Sequence, residues 1–202
     1  MRYVLVILCA YIVGSSSMSF YLSKLNGVEL RDKGSKNLGA SNAMILMGWK
    51  AGILVGIHDI GKSVIAVLLA NILFPDLPYV GVLAGVACVL GHIFPFYLKF
   101  KGGKGFASFI GMVLALNWKY ALVMLLLVVL ITLITDYIVS GTITAVVLSP
   151  IYFWIAEKNV IFPCIILIAT AIILYKHREN FVRMYRGTEI GLRSANRGEH
   201  RV

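Results

Sequence analysis

The segment GHIFPFYLKFKGGKGFASFIG, residues 91–111, opens and closes as membrane sequence yet carries Lys99, Lys101 and Lys104 with Gly102, Gly103 and Gly105 among them. Its reading decides the fold, because it settles whether the chain turns back at residue 105 or runs on. As a helix, residues 105–116 extend roughly 18 Å, short of a hydrocarbon core about 30 Å thick. The start at Gly103, Lys104 and Gly105 is therefore expected to be sunk below the interface or shielded by protein. Free first-turn amides and the positive end of the helix dipole then point into that recess, which suits an anion. Glycines let amides curl round an oxyanion without Cβ interference, and Lys101 and Lys104 add charge. The plain alternative is a flexible basic loop on anionic lipid heads.

Composition makes the rest of the chain agree with this membrane setting. Of 202 residues, 59% are hydrophobic and 14% charged, and the mean hydropathy is +0.87. Such a balance excludes an ordinary soluble domain and reads as an all-α, multi-pass integral membrane protein. The excess of 19 Lys and Arg over 9 Asp and Glu lies between apolar runs, so it marks loops instead of a nucleic-acid surface. Cys9, Cys88 and Cys164 sit inside apolar runs without CxxC spacing and read as buried free thiols.

Apolar runs cover residues 3–22, 51–74, 79–98, 105–116, 120–135, 142–156 and 160–175. They predict seven spans in a single domain, 1–202, without internal repeat. The first run follows Arg2 and precedes a positive flank from Lys24 to Lys36, so it reads as a span and not as a cleaved leader. Leu8 before Cys9 argues against a lipoprotein site. Seven spans leave fifteen loop and tail cations on one side and three, Arg2, Lys119 and Lys158, on the other. The positive-inside rule then puts the N-terminus outside and the C-terminus in the cytoplasm. Merging 105–135 into one span would reverse everything downstream.

Two further polar stretches fall on the same cytoplasmic side. RDKGSKNLGASN, residues 31–42, sets Ser35, Asn37, Ser41 and Asn42 among Gly34, Gly39 and Ala40. It reads either as a turn or as a backbone wrap for phosphate. YKHRENFVRMYRGTEIGLR, residues 175–193, places His177 and Asn180 on one helical face. GIHDIGKS, residues 56–63, matches the Walker A pattern by letter. Its setting inside the run 51–74 excludes the soluble strand–loop–helix that a P-loop needs. Asp59 and Lys62, at i and i+3, are expected to pair, since each lone charge at a span's centre costs about 2.5–3.5 kcal/mol.

Taken together, GSKNLGASN, GHIFPFYLKFKGGKGFAS and HRENFVRMYRGTE, in this order across nearly the whole chain, resemble the three motifs of the PlsY family, the bacterial acyl-phosphate:glycerol 3-phosphate acyltransferases. The resemblance implies a seven-helix protein of the bacterial cell membrane with its site on the cytoplasmic side. It implies acyl phosphate and glycerol 3-phosphate as substrates, lysophosphatidic acid as product, the first step of phospholipid synthesis, and no cofactor or metal. Gly102, Gly103, Lys104, Gly105 and Lys101 would hold the acyl phosphate. Ser35, Asn37, Lys104, His177 and Asn180 would surround glycerol 3-phosphate, with Thr142 where relatives often carry serine. Arg178 and Glu179 would tie the C-terminal segment to the loops. An acyl phosphate is already activated, so direct transfer is expected, the proton passing to His177 or to a substrate phosphate.

The sequence departs from the family at three places. Ile45 stands where an arginine is usual, Lys36 where glycine is usual, and Ser63 where the DxxKG stretch has glycine. Lys36 is a candidate replacement for the missing charge. An altered acceptor and, more remotely, an organic-phosphate carrier are the alternative readings.

Overall fold

Serines inside the first apolar run break it. α1 (Arg2–Ser15) ends and α2 (Met18–Asn26) begins across Ser16 and Ser17, the Ser17 hydroxyl accepting from the Phe20 N–H at the start of α2. The computed structural model describes residues 1–193, and every regular element in them is helical. The chain continues as α3 (Ala40–Met47), α4 (Trp49–Leu73), α5 (Val80–Ile93), a 3-10 turn (Phe96–Leu98), α6 (Phe106–Leu116), α7 (Trp118–Thr135), α8 (Ile138–Glu157), α9 (Ile161–Lys176) and α10 (Arg178–Tyr185).

Among the described residues five stretches are long and apolar enough to cross a membrane: Arg2–Asn26, Trp49–Leu73, Val80–Leu98, Trp118–Thr135 and Ile138–Glu157. A sixth arises if α9 and α10, bent by 45° at His177, act as one. α6 has 11 residues and is the short element that the sequence anticipated. Large apolar side chains such as Leu126, Leu133 and Ile134 on α7 stay uncovered, a surface that only hydrocarbon accommodates. Cys9 and Cys164 lie on such uncovered faces, and of the three thiols expected to be buried only Cys88 is. An apolar run has a lipid face as well as a protein face, and composition does not distinguish them.

The chain divides into two compact units, Met1–Leu116 and Asn117 onward. In the first, α1 packs on α5, and α4 on α3, α5 and α6. Small residues permit this closeness: a Cβ on Gly14 would strike the Cys88 backbone, and one on Gly91 the Tyr11 carbonyl, so α1 and α5 meet backbone to backbone. In the second unit α8 packs on α7 and α9. Asn117 caps α7 by accepting from the Tyr120 N–H at 3.0 Å and donates to the Tyr152 hydroxyl at 2.9 Å. Asp136, at φ +68°, ends α7 and receives the C-terminal segment, its carbonyl and carboxylate accepting from the N–H groups of Leu192 and Arg193.

Asp59 and Lys62 pair as expected, Nζ to Oδ1 2.9 Å, with side chains 3% and 4% exposed. The pair has unforeseen partners, among them His58, whose Nδ1 lies 3.3 Å from Asp59 Oδ1. Lys62 Nζ also donates to the Ser16 carbonyl at 2.7 Å, an acceptor that the break between α1 and α2 frees, and it lies 2.9 Å from His92 Nδ1. Ser63 donates to the Cys88 thiol, which satisfies the hydroxyl that this chain carries in place of the family's glycine.

Candidate active site

Asn42, fully buried in the first turn of α3, shapes the 30–42 loop from one side chain. Its Oδ1 accepts from the Ser35 N–H at 2.9 Å, and its Nδ2 donates to the carbonyls of Leu30 and Lys33 at 2.7 and 3.2 Å. Gly34, at φ +60°, passes so close that a Cβ there would strike Asn42 Oδ1. The loop thus presents Ser35 and Asn37 half-buried and Lys36 exposed, with Lys36 in the left-handed region at φ +56°. Ile45 is half-buried one turn beyond Asn42 on α3.

The glycine turn lies against this loop. Arg31 donates to the Lys101 carbonyl at 3.1 Å, and a Cβ on Gly103 would come within 2.7 Å of the Leu38 carbonyl. Leu30, Leu38 and Leu98 form a buried apolar cluster that anchors both segments. The Gly102 N–H donates to Ile93 O at 3.0 Å and the Gly103 N–H to His92 O at 3.2 Å. These two amides, which the sequence left open for an anion, are taken up within the chain. Lys104 is half-buried, Gly105 turns at φ +94°, and its carbonyl accepts from the Phe109 N–H at 2.8 Å. By position the amides of Phe106, Ala107 and Ser108 have no intrahelical acceptor. They form the N-terminus of α6, a seat for an oxyanion beside Lys104. Ser108 is fully buried, and its hydroxyl lacks a protein partner. Lys101 is exposed.

His177, Asn180 and Thr142 belong to the second unit. His177 is buried at the bend between α9 and α10, and its Nδ1 lies 2.8 Å from the Ile173 carbonyl. A carbonyl only accepts, so Nδ1 carries the proton and Nε2 is the basic nitrogen of the neutral ring. Asn180, also buried, donates to Glu189 Oε1 at 2.6 Å while Arg183 Nε donates to Oε2 at 2.7 Å. One carboxylate thereby fixes both. Arg178 donates to the Tyr175 carbonyl and stacks on the Tyr175 ring, and Arg178 and Glu179 are both exposed. Thr142 is buried on α8.

Residues 4–187 match the family described as Glycerol-3-phosphate acyltransferase. The chain belongs to that family. Relatives of that name include proteins from Clostridioides difficile (strain 630), 36% identical over 93% of this chain and 94% of the other, and from Aquifex aeolicus (strain VF5), 37% identical over 94% and 98%. The crystal structure of PlsY (YgiH), an integral membrane glycerol 3-phosphate acyltransferase, in its glycerol 3-phosphate form, superposes with a TM-score of 0.89 at 34% identity, covering 95% of this chain and 96% of that one. Its lysophosphatidic acid form gives 0.86. This chain is thus a multi-pass membrane protein of the glycerol-3-phosphate acyltransferase family. The family match takes in the first two motifs and, in the second unit, the third as far as Gly187.

Proposed function

We propose that this protein transfers a fatty acyl group from acyl phosphate to glycerol 3-phosphate, giving lysophosphatidic acid and inorganic phosphate at the cytoplasmic face of a bacterial membrane, with residues 1–202 acting as one acyltransferase domain of seven spans. The observation that carries the reading is the packing of the Lys101–Gly103 turn, which leads into α6, against Arg31 and Leu38 of the 30–42 loop within the first unit. Two phosphate-compatible segments stand side by side there, as a reaction between two phosphorylated substrates requires.

The chemistry is a direct acyl transfer. The acceptor hydroxyl oxygen bonds to the acyl carbonyl carbon, the bond from that carbon to the phosphate oxygen breaks, and the hydroxyl proton leaves. Lys104 and the first-turn amides of α6 stabilise the departing phosphate, with Gly102, Gly103, Gly105 and Lys101 shaping and charging its seat. Ser35, Lys36 and Asn37 are assigned to glycerol 3-phosphate. The motif resemblance gives the same task to His177, Asn180 and Thr142, residue by residue. The proton goes to His177 Nε2 or to a phosphate oxygen. The activated donor requires no nucleophilic residue and no metal. Ile45 in place of the family's arginine supports a second reading, an altered or weaker use of the acceptor.

The test is turnover by purified protein given acyl phosphate and glycerol 3-phosphate. Release of phosphate with lysophosphatidic acid is expected to persist in chelator and to be lost when acyl-CoA replaces acyl phosphate. Lys104→Ala should lower kcat/KM by about tenfold to a hundredfold, as expected for a lost charged hydrogen bond to phosphate. Near-parental kinetics in that variant would remove Lys104 from the site.

A further inference from the structure

His92 joins the buried ion pair to the glycine turn. It stands in the last turn of α5, 7% exposed. On one edge, Nδ1 lies 2.9 Å from Lys62 Nζ and 3.4 Å from Asp59 Oδ1. The Lys62 ammonium has three N–H bonds and three acceptors around it: Asp59 Oδ1 at 2.9 Å, the Ser16 carbonyl at 2.7 Å and His92 Nδ1. An ammonium accepts nothing, so Nδ1 offers its lone pair and the ring proton sits on Nε2. On the other edge, Nε2 stands so close to Gly103 that a Cβ there would strike it, as it would the Leu38 carbonyl. The backbone repeats the contact, with the Gly103 N–H donating to His92 O. Lys104 is the next residue.

We propose that His92, held in orientation by Lys62 and Asp59, is a positioning residue that sets the Gly102–Gly103 turn and, through it, the placing of Lys104 and the α6 N-terminus against the donor's phosphate. The ring is the floor on which the turn rests. Gly103 lets the backbone sit directly on it, and the ion pair keeps it from rotating away. The proposal rests on the acyl-phosphate reading given above. A displacement of the order of 1 Å at a reacting group costs up to about a hundredfold in rate or affinity, so a floor that tilts should be read first at the donor.

Two substitutions separate positioning from bulk packing. His92→Leu fills the space without an acceptor for Lys62. His92→Asn returns a carbonyl oxygen near the Nδ1 position. Steady-state kinetics with each substrate varied, alongside thermal denaturation, should show His92→Leu raising the KM for acyl phosphate about tenfold to a hundredfold, with the KM for glycerol 3-phosphate changing less and His92→Asn recovering most of the loss. Val67→Ala, a buried cavity in α4, should lower the melting temperature and leave the donor KM in place. A parental donor KM in folded His92→Leu, or an equal rise in Val67→Ala, overturns the proposal. If His92→Leu does not survive extraction, His92→Gln, which reaches towards the Nε2 position but leaves Lys62 short of an acceptor, must show the rise, and a parental value there overturns it. If the parent protein turns over no acyl phosphate, the donor reading has failed by itself. Positioning is then read from inorganic phosphate binding by calorimetry, where equal affinities in parent, His92→Asn and His92→Leu proteins overturn it and selective loss in His92→Leu supports it.

Discussion

Lys36 holds a backbone conformation that costs a residue with a Cβ roughly 1–2 kcal/mol, at φ +56°. Glycine, usual at this place in the family, avoids that cost, so this chain keeps a lysine there against its conformational preference. The half-buried Ile45 on the same segment lacks the charge that the family places there. Together these two observations make Lys36 the candidate bearer of the missing cation. Lys36→Gly should raise the melting temperature slightly and raise the KM for glycerol 3-phosphate. Ile45→Arg should restore that KM in the Lys36→Gly background and change it little in the parent, because two cations on one dianion are not additive. Steady-state kinetics of the four proteins decides, and a KM indifferent to Lys36→Gly but worsened by Ile45→Arg would show an apolar wall suited to another acceptor.

At the scale of the element, one buried side chain holds the 30–42 loop. Asn42→Ala would orphan the Ser35 N–H and the Leu30 and Lys33 carbonyls, at about 1–3 kcal/mol for each group left buried. It should lower the melting temperature and open residues 31–36 to protease, both measurable on purified protein, while Asn42→Asp should restore only the contact to Ser35. The sequence showed the ends of α7, because Asn117 and Asp136 act locally on the backbone, but neither the break at Ser16–Ser17 nor the short α3. It showed the Asp59–Lys62 pair as well, since i,i+3 spacing is geometry inherent to a helix. His92 was in plain sight inside the second motif, yet its tie to Lys62 spans 30 residues, and no periodicity reports a contact between helices. The Glu189 clamp on Asn180 and Arg183 escaped because it bends back across the Gly187 turn, a contact that helical spacing does not report. Similarly, the glycines signalled a close approach, but what they approach, His92 and Leu38 and not the anion alone, depends on the fold.

For the whole molecule, the segregation of loop cations is an orientation signal, and the eleven-residue α6 is the element on which its parity turns. If α6 counts as a span, single cysteines at Asp76 and Lys158 in a cysteine-free background should react with an impermeant maleimide in intact cells, and cysteines at Lys33, Lys101 and Tyr185 only after permeabilisation. External reaction at Lys33 would reverse the assignment, and external reaction at Tyr185 alone would mean that α6 does not cross. The break between α1 and α2 bears on how such a protein is made. α4 enters the bilayer carrying Asp59 and Lys62, each charge costing about 2.5–3.5 kcal/mol at a helix centre when alone, and one of Lys62's acceptors is the Ser16 carbonyl of the segment synthesised first. That carbonyl is already waiting when α4 emerges from the ribosome, whereas His92 is still untranslated. Membrane integration of α4 should therefore be easier with α1 already in place, the break at Ser16–Ser17 supplying, beside Asp59, a hydrogen-bond acceptor for a lysine translated after it.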